Sequence, residues 1–313
     1  MIRALSKATF SMLAASPILK GVASRYGMRH PHSFARRFVA GETVAEAIEA
    51  ARRIEAQGLM VTLDYLGERV SAREAANEAT RAYVDLVNAV TAAGISRNLS
   101  LKLTQLGLDI DRATTIDNLR RILEAAGTAD AFVRIDMEES SHTEETIDVF
   151  MTLWNIGYRQ MGIVVQSYLR KSGEYVQQMN AIGARVRLVK GAYREPDEVA
   201  FQDKADVDAQ YLRLMKTLLA EGVYPAIATH DPVMIDAAKA FVAERQIGRD
   251  KFEFQMLFGV RRDLQQSLAH EGYRFRVYVP FGKEWFPYFM RRLGERPANV
   301  GFVLKSLFRE QES

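Results

Sequence analysis

The stretch YRFRVYVPFGKEWFPYFMRRLGERPAN, residues 273–299, changes its periodicity half-way along. Phe275, Val277 and Val279 alternate with Arg274, Arg276 and Tyr278, a period of two that predicts a strand. Pro280 and Gly282 end it. Beyond them Tyr288, Arg291, Arg292 and Glu295 fall at i, i+3, i+4 and i+7, which puts all four on one face of a helix. Two guanidiniums beside a phenol suit a carboxylate, because the planar fork donates hydrogen bonds in pairs. Taken alone, the stripe reads at least as readily as a solvated helix face carrying an Arg–Glu pair.

Upstream, the same strand-to-helix change recurs. Apolar or alternating runs at 59–67, 98–107, 131–140, 162–169, 184–193, 223–231 and 251–259 predict strands. Each is followed by a helical pattern, at 71–94, 115–127, 143–157, 172–183, 197–222, 232–245 and 261–270. A helix capped by Thr43 precedes the first strand. Strictly alternating units imply a parallel sheet, and eight of them predict an α/β fold, a distorted (β/α)8 TIM-type barrel with an N-terminal helical arm. An open doubly wound sheet is the alternative, but it usually carries a glycine fingerprint after its first strand, and none is present. The expected division is a basic helical arm over residues 1–41 and a catalytic barrel over 42–313.

With 48% hydrophobic and 26% charged residues, the 313-residue chain has the composition of a soluble globular protein. The absence of cysteine excludes disulfides, thiolate nucleophiles, zinc–thiolate sites and iron–sulfur clusters. A net charge of +3 gives no reason to expect nucleic acid as a partner. The charge is uneven, however. Residues 1–41 contain no acidic residue but hold Arg3, Lys7, Lys20, Arg25, Arg29, Arg36 and Arg37. That composition fits an organellar transit peptide, a basic arm touching an anionic membrane, or an ordinary helix pair with solvated charges. No apolar run is long enough to span a bilayer.

One phase of the strands is unusually polar for a barrel interior. Ser100, Lys102 and Thr104 alternate with leucines; Arg134, Asp136 and Glu138 with Val133, Ile135 and Met137. Arg185 and Arg187, Glu253 and Gln255, and Arg274, Arg276 and Tyr278 continue the pattern. Buried charges cost several kcal/mol each unless paired. The earlier members (Arg134, Arg185, Glu253 and Arg274) are therefore expected at the solvated bottom rim. Lys102, Asp136, Arg187, Gln255 and Tyr278 lie toward the carboxyl ends, where barrel active sites are built. Gln166, Lys190, Tyr193, Thr229 and His230 also sit at strand ends. Together they predict a charged cavity at the top of the barrel, with the Arg291/Arg292 helix over it.

The five histidines do not form a ligand set, so no metal site is expected. There is no nucleophile elbow, phosphate loop or dinucleotide fingerprint. Lys190 in RLVKGAY has the position of a Schiff-base lysine in a barrel lyase, with Arg187 as the cationic neighbour that lowers such an amine's pKa.

RLVKGAY (187–193), VRIDMEES (133–140), VVQSYL (164–169), ATHD (228–231), FEFQMLFG (252–259) and RVYVPFG…YFMRRLGERPAN (276–299) together resemble proline dehydrogenase, a flavin-dependent family. The six segments occur in order on successive strands. The length resembles the monofunctional bacterial form. The resemblance implies non-covalent FAD, oxidation of L-proline to 1-pyrroline-5-carboxylate, and electrons passed to a membrane quinone. It implies a cytoplasmic enzyme with a peripheral contact on the inner membrane face. By the same resemblance, Arg291 and Arg292 grip the substrate carboxylate, and Lys102 pairs with it or with Glu295. Tyr288 packs on the ring, and Tyr278 belongs to the substrate wall. Arg187 sits near the flavin N5 and Asp136 in the catalytic shell. Met137, Gln166, Lys190, Gly191, Ala192, Thr229, His230 and Gln255 would hold the cofactor. Asp231 stands where the family pattern more often has asparagine.

Overall fold

The computed structural model describes residue 28 and residues 33–295. Most of the basic arm, and the side chain of Glu295, lie outside the described residues. Eight parallel strands close on themselves in sequence order: β1 (Met60–Tyr65), β2 (Asn98–Leu101), β3 (Phe132–Ile135), β4 (Met161–Gln166), β5 (Arg185–Val189), β6 (Ala226–Ala228), β7 (Glu253–Leu257) and β8 (Phe275–Phe281). The seam is the β1–β8 pairing, which runs in register from Met60↔Arg276 to Tyr65↔Phe281. Closure rules out the open sheet.

Helix α1 (Val44–Glu55) precedes β1. Between the strands run α2 (Arg73–Ala93), α3 (Arg112–Thr128), α4 (Thr143–Asn155), α5 (Ser172–Ala181), α6 (Lys204–Glu221), α7 (Pro232–Glu244) and α8 (Arg262–His270). Helix α9 (Trp285–Glu295) follows β8. Local chemistry explains most boundaries. Thr43 and Glu46 form a reciprocal capping box at the start of α1. Asp111 caps α3, and Asp231 caps α7, where Pro232 takes the first turn. Gly94 ends α2 in the left-handed conformation. Helix α2 begins at Arg73 without a side-chain cap, so the expected opening at Ser71 is corrected.

Several strands are shorter than their patterns. Asn98–Gly107 is strand only to Leu101; Leu103–Leu106 form a 3-10 turn that withdraws Thr104 from the sheet. The expected helix from Asp197 starts at Lys204, which leaves a long connection after β5.

The outward phase supplies the core. Leu99, Leu101, Val133, Ile135, Val186, Leu188, Phe254, Val277 and Val279 are buried in one apolar cluster with the helices. A second cluster, of Met28, Ala35, Phe38, Val39 and Leu66, packs on Trp285, Phe286, Tyr288, Phe289 and Met290 of α9. This cluster fixes α9 to the top of the barrel. Backbone bonds from Ala40 N–H to Pro280 and from Gly282 N–H to Gly41 tie the same junction.

The inward phase is polar on β2, β3, β7 and β8 and at Arg187 of β5, while Val164, Val189, Ala226 and Ala228 share it on β4, β5 and β6. Some of its charges are buried where water was expected. Arg185 and Arg274 are exposed, but Arg134 and Glu253 are buried, at 3% and 2% exposure. The placement of these two at a solvated rim is therefore corrected. Their charges are compensated inside: Glu253 is held by Arg276, and Arg134 Nη1 donates to the Arg185 and Ile163 carbonyls. Gly162 makes this possible, since a Cβ there would stand 2.6 Å from Arg134 Nη1 and 2.5 Å from the Arg185 carbonyl oxygen.

Candidate active site

A cavity of about 430 Å³ opens at the carboxyl ends of the strands, where loops and helix ends surround the barrel mouth. Its wall includes Lys102, Asp136, Met137, Gln166, Arg187 and Lys190, together with Gly191, Ala192, Thr229, His230, Gln255 and Tyr278. Tyr288, Arg291 and Arg292 of α9 line it from above. Every residue singled out from the sequence is thus brought to one place, apart from Glu295, whose side chain is outside the described residues.

The centre of the wall is Asp136, the residue after β3. Arg187 Nη1 donates to Asp136 Oδ1 at 2.8 Å, and Tyr278 OH donates to Asp136 Oδ2 at 2.7 Å. Arg187 Nη2 donates to Ser100 Oγ at 2.9 Å, and its guanidinium lies 5.2 Å from the Tyr278 ring centre. Three strands therefore hold the Arg187 side chain in one orientation. Burial drives the Tyr278 phenol well above its ordinary pKa, and the charges of Asp136 and Asp64 add to the effect. It stays a donor at any working pH.

Lys102 continues the network. Its Nζ lies 3.4 Å from Asp64 Oδ2 and 3.9 Å from Asp136 Oδ2. Burial opposes its charge, but the two carboxylates outweigh burial and raise its pKa. Asp64, fully buried on β1, is itself raised by burial, with Lys102 opposing and Asp136 adding. Asp64 did not emerge from the sequence as a site residue. The signal was present, because Thr62 and Asp64 alternate with Val61 and Leu63 in the run before Gly67.

Glu68 was missed too, and no sequence signal marks it. It follows β1 and accepts from Arg291 Nη1 at 2.7 Å. Burial raises the Glu68 carboxyl, but Arg291 more than reverses this and leaves it low. Helix α9 is thereby joined to the barrel by an ion pair with both side chains 27% exposed. Arg292 stacks over the Tyr288 ring at 5.2 Å. Tyr193, noted as a strand-end residue, also lines the cavity; burial pushes its phenol up to about 12.

On the opposite side, Lys190 Nζ is ion-paired with Asp208 at 2.5 Å and Asp231 at 2.8 Å. Those contacts occupy the amine, whereas a Schiff-base lysine needs its nitrogen lone pair free. Gly191 follows at φ +112°, with its missing Cβ directed at the Tyr168 ring 2.4 Å away, so only glycine passes there. Leu257 N–H donates to His230 Nε2 at 3.0 Å, which leaves the ring proton on Nδ1. Asp231 N–H donates to Thr229 Oγ1.

A model of the proline dehydrogenase family matches residues 47–305. Proline dehydrogenase 1 of Bacillus subtilis is 42% identical over 301 residues, covering 96% of this chain and 98% of that protein. The chain belongs to the proline dehydrogenase family. Its activity is proline dehydrogenation. Another relative, the proline dehydrogenase of Deinococcus radiodurans, is 42% identical over 88% of this chain and 91% of its own. Among solved structures, proline utilization A (PutA) from Bdellovibrio bacteriovorus, inactivated by N-propargylglycine, superposes with a TM-score of 0.78 at 29% identity. That match covers 83% of this chain and 32% of the PutA chain, so this proline dehydrogenase spans about a third of the larger protein.

Proposed function

We propose that the cavity binds FAD non-covalently and that the enzyme oxidises L-proline to 1-pyrroline-5-carboxylate, with electrons leaving to a membrane quinone. The observation that carries this reading is a cation fixed in the wall, Arg187 on Asp136 and Ser100, which lines the same cavity as a guanidinium pair on α9. The wall's open polar atoms suit a flavin ring. Gln166 Oε1, Gln255 Oε1 and Arg187 Nε are buried without a hydrogen-bond partner, on residues that line the cavity. An isoalloxazine edge carries the N–H, C=O and ring nitrogens that such atoms recognise. FAD, when bound, supplies the hydride acceptor.

The chain's own residues do the rest. Arg291 and Arg292 bind the proline carboxylate, and Tyr288 packs against the ring, so that one C–H is aimed at the acceptor. The Arg187 guanidinium, preorganised by Asp136 and Tyr278, stabilises negative charge that develops beside it. Asp136 is committed to Arg187 and Tyr278, and its part is to hold the Arg187 guanidinium in place. Lys102 is tied to Asp64 and stands in reserve for the carboxylate or for Glu295. Lys190, Gly191, Ala192, Thr229 and His230 line the part of the cavity assigned to the rest of the cofactor. No described helix is long and apolar enough to cross a membrane. The acidic-free residues 1–41 are assigned to peripheral contact with the anionic surface where the quinone resides.

The test is an assay of FAD-loaded protein with L-proline and a soluble quinone analogue. Quinone reduction should match the 1-pyrroline-5-carboxylate trapped by o-aminobenzaldehyde. Failure to form the trapped adduct overturns the reaction.

A further inference from the structure

Strand β7 places Glu253 and Gln255 two residues apart on its inward face, at 2% and 3% exposure. The Glu253 carboxylate is fully engaged. Arg276 donates from Nε to Oε1 at 2.8 Å and from Nη2 to Oε2 at 3.0 Å, and Tyr224 OH donates to Oε2 at 3.1 Å. Burial works against this carboxylate, but Arg276 keeps its pKa below the ordinary value, so it is ionised. The remaining partner is Gln255, whose Nε2 donates to Glu253 Oε1.

An ionised carboxylate can only accept hydrogen bonds. The end of the Gln255 amide that meets Glu253 is therefore the amino group, and the orientation of the amide follows from chemistry. Its carbonyl oxygen has to point the other way. That atom is buried and has no hydrogen-bond partner, and Gln255 lines the cavity. The fixed negative charge behind the amide also polarises it and makes Oε1 a better acceptor. Gln166 is turned likewise, but only by one longer bond of 3.3 Å to the uncharged Met137 carbonyl.

We propose that Glu253 is a positioning residue, which by holding the Gln255 amino group presents Gln255 Oε1 to the cavity as a fixed acceptor for the imide N–H of the isoalloxazine ring. The inference rests on the FAD reading above. It makes Glu253 and Arg276, on the floor of the barrel, part of the machinery that selects the ring. The complementary group is a ring N–H, so a flavin in which that hydrogen is replaced by methyl leaves the acceptor buried and unpaired.

The experiment compares FAD with its 3-methyl analogue, binding each to apoprotein and following the quenching of flavin fluorescence. The wild-type chain should prefer FAD by about tenfold or more, the usual penalty for an unpaired buried acceptor. Gln255→Met, which leaves Glu253 and Arg276 in place, should bring the two affinities within about twofold. Glu253→Gln keeps the shape but can both donate and accept, which frees the Gln255 amide to turn, so the preference should fall. Should that variant fail to fold, Glu253→Asp draws the carboxylate back from Gln255 while keeping the charge on Arg276, and should lower the preference too. Equal binding of the two flavins by the wild-type chain overturns the inference, as does a preference unchanged in Gln255→Met. A preference unchanged in the folded Glu253 variants overturns the role of Glu253. A wild-type chain that binds neither flavin overturns the FAD reading and this inference with it.

Discussion

Arg291 shows how much a single residue's meaning depends on its partners. On the helix stripe it is indistinguishable from a solvated arginine. In the fold its Nη1 donates to Glu68 at 2.7 Å, and burial has not stripped its charge, because Glu68 more than offsets the desolvation. It therefore sits in the wall as a preorganised cation. Charged hydrogen bonds contribute about 1.5–3 kcal/mol each. Replacing Arg291 by Met should raise the KM for proline by about 10- to 100-fold. FAD absorbance should be retained, since the cofactor is assigned to other residues. Steady-state kinetics beside a flavin spectrum separates the two. The sequence carried the Arg291–Arg292 pair but not Glu68, because a lone acidic residue in a loop has no period to betray it. It also carried Asp64, in phase with Thr62, but within an apolar run that reads first as core.

At the scale of the element, the Thr43 cap was legible, but the start of α2 and the strand lengths were not. The Thr43–Glu46 box follows from residue types at fixed spacing, and the structure has both of its bonds. Strand ends depend on where neighbouring strands stop pairing, which is not a local property; hence β2 ends at Leu101 although the alternation runs on. The cap makes its own prediction. Burial tends to raise the Glu46 carboxyl, but bonds from Arg36, Glu42 N–H and Thr43 hold it down at about 2, against 4.5 for an ordinary glutamate. A depressed pKa stabilises the fold above the unfolded-state value and loses that contribution as pH falls toward the folded value. Glu46→Gln should thus cost about 1 kcal/mol near neutral pH, allowing for solvent screening. The difference should shrink below pH 4.5 and vanish near pH 2, as read by urea unfolding of both proteins across pH. A difference independent of pH would assign the cap's effect to shape alone.

At the scale of the molecule, the barrel is inverted relative to one filled by branched aliphatics. Lys102, Arg134, Arg187 and Arg276 share its interior with Asp64, Asp136 and Glu253, all buried or nearly so. That polar phase was visible in five strands, and it is what turned an ordinary alternation into a predicted cavity. The depth was misjudged, since Arg134 and Glu253 looked affordable only in water. Compensation across strands, Glu253 with Arg276, is a pairing of β7 with β8 that no single segment reveals. Such an interior is stable as built but leaves open polar atoms at the cavity. Occupying them should stabilise the whole fold. FAD at about a hundred times its Kd adds about 2.7 kcal/mol by mass action. The melting temperature should rise by roughly 5 °C or more over the apoprotein. No rise under those conditions would mean that FAD does not bind the native barrel.

The most direct test is an anaerobic titration of the FAD-loaded protein with L-proline, followed by its visible absorbance. The protein should be yellow, with a flavin band that bleaches on adding proline and returns on adding a quinone. A band that persists through excess proline, or a protein that takes up no FAD, would contradict the proposed function.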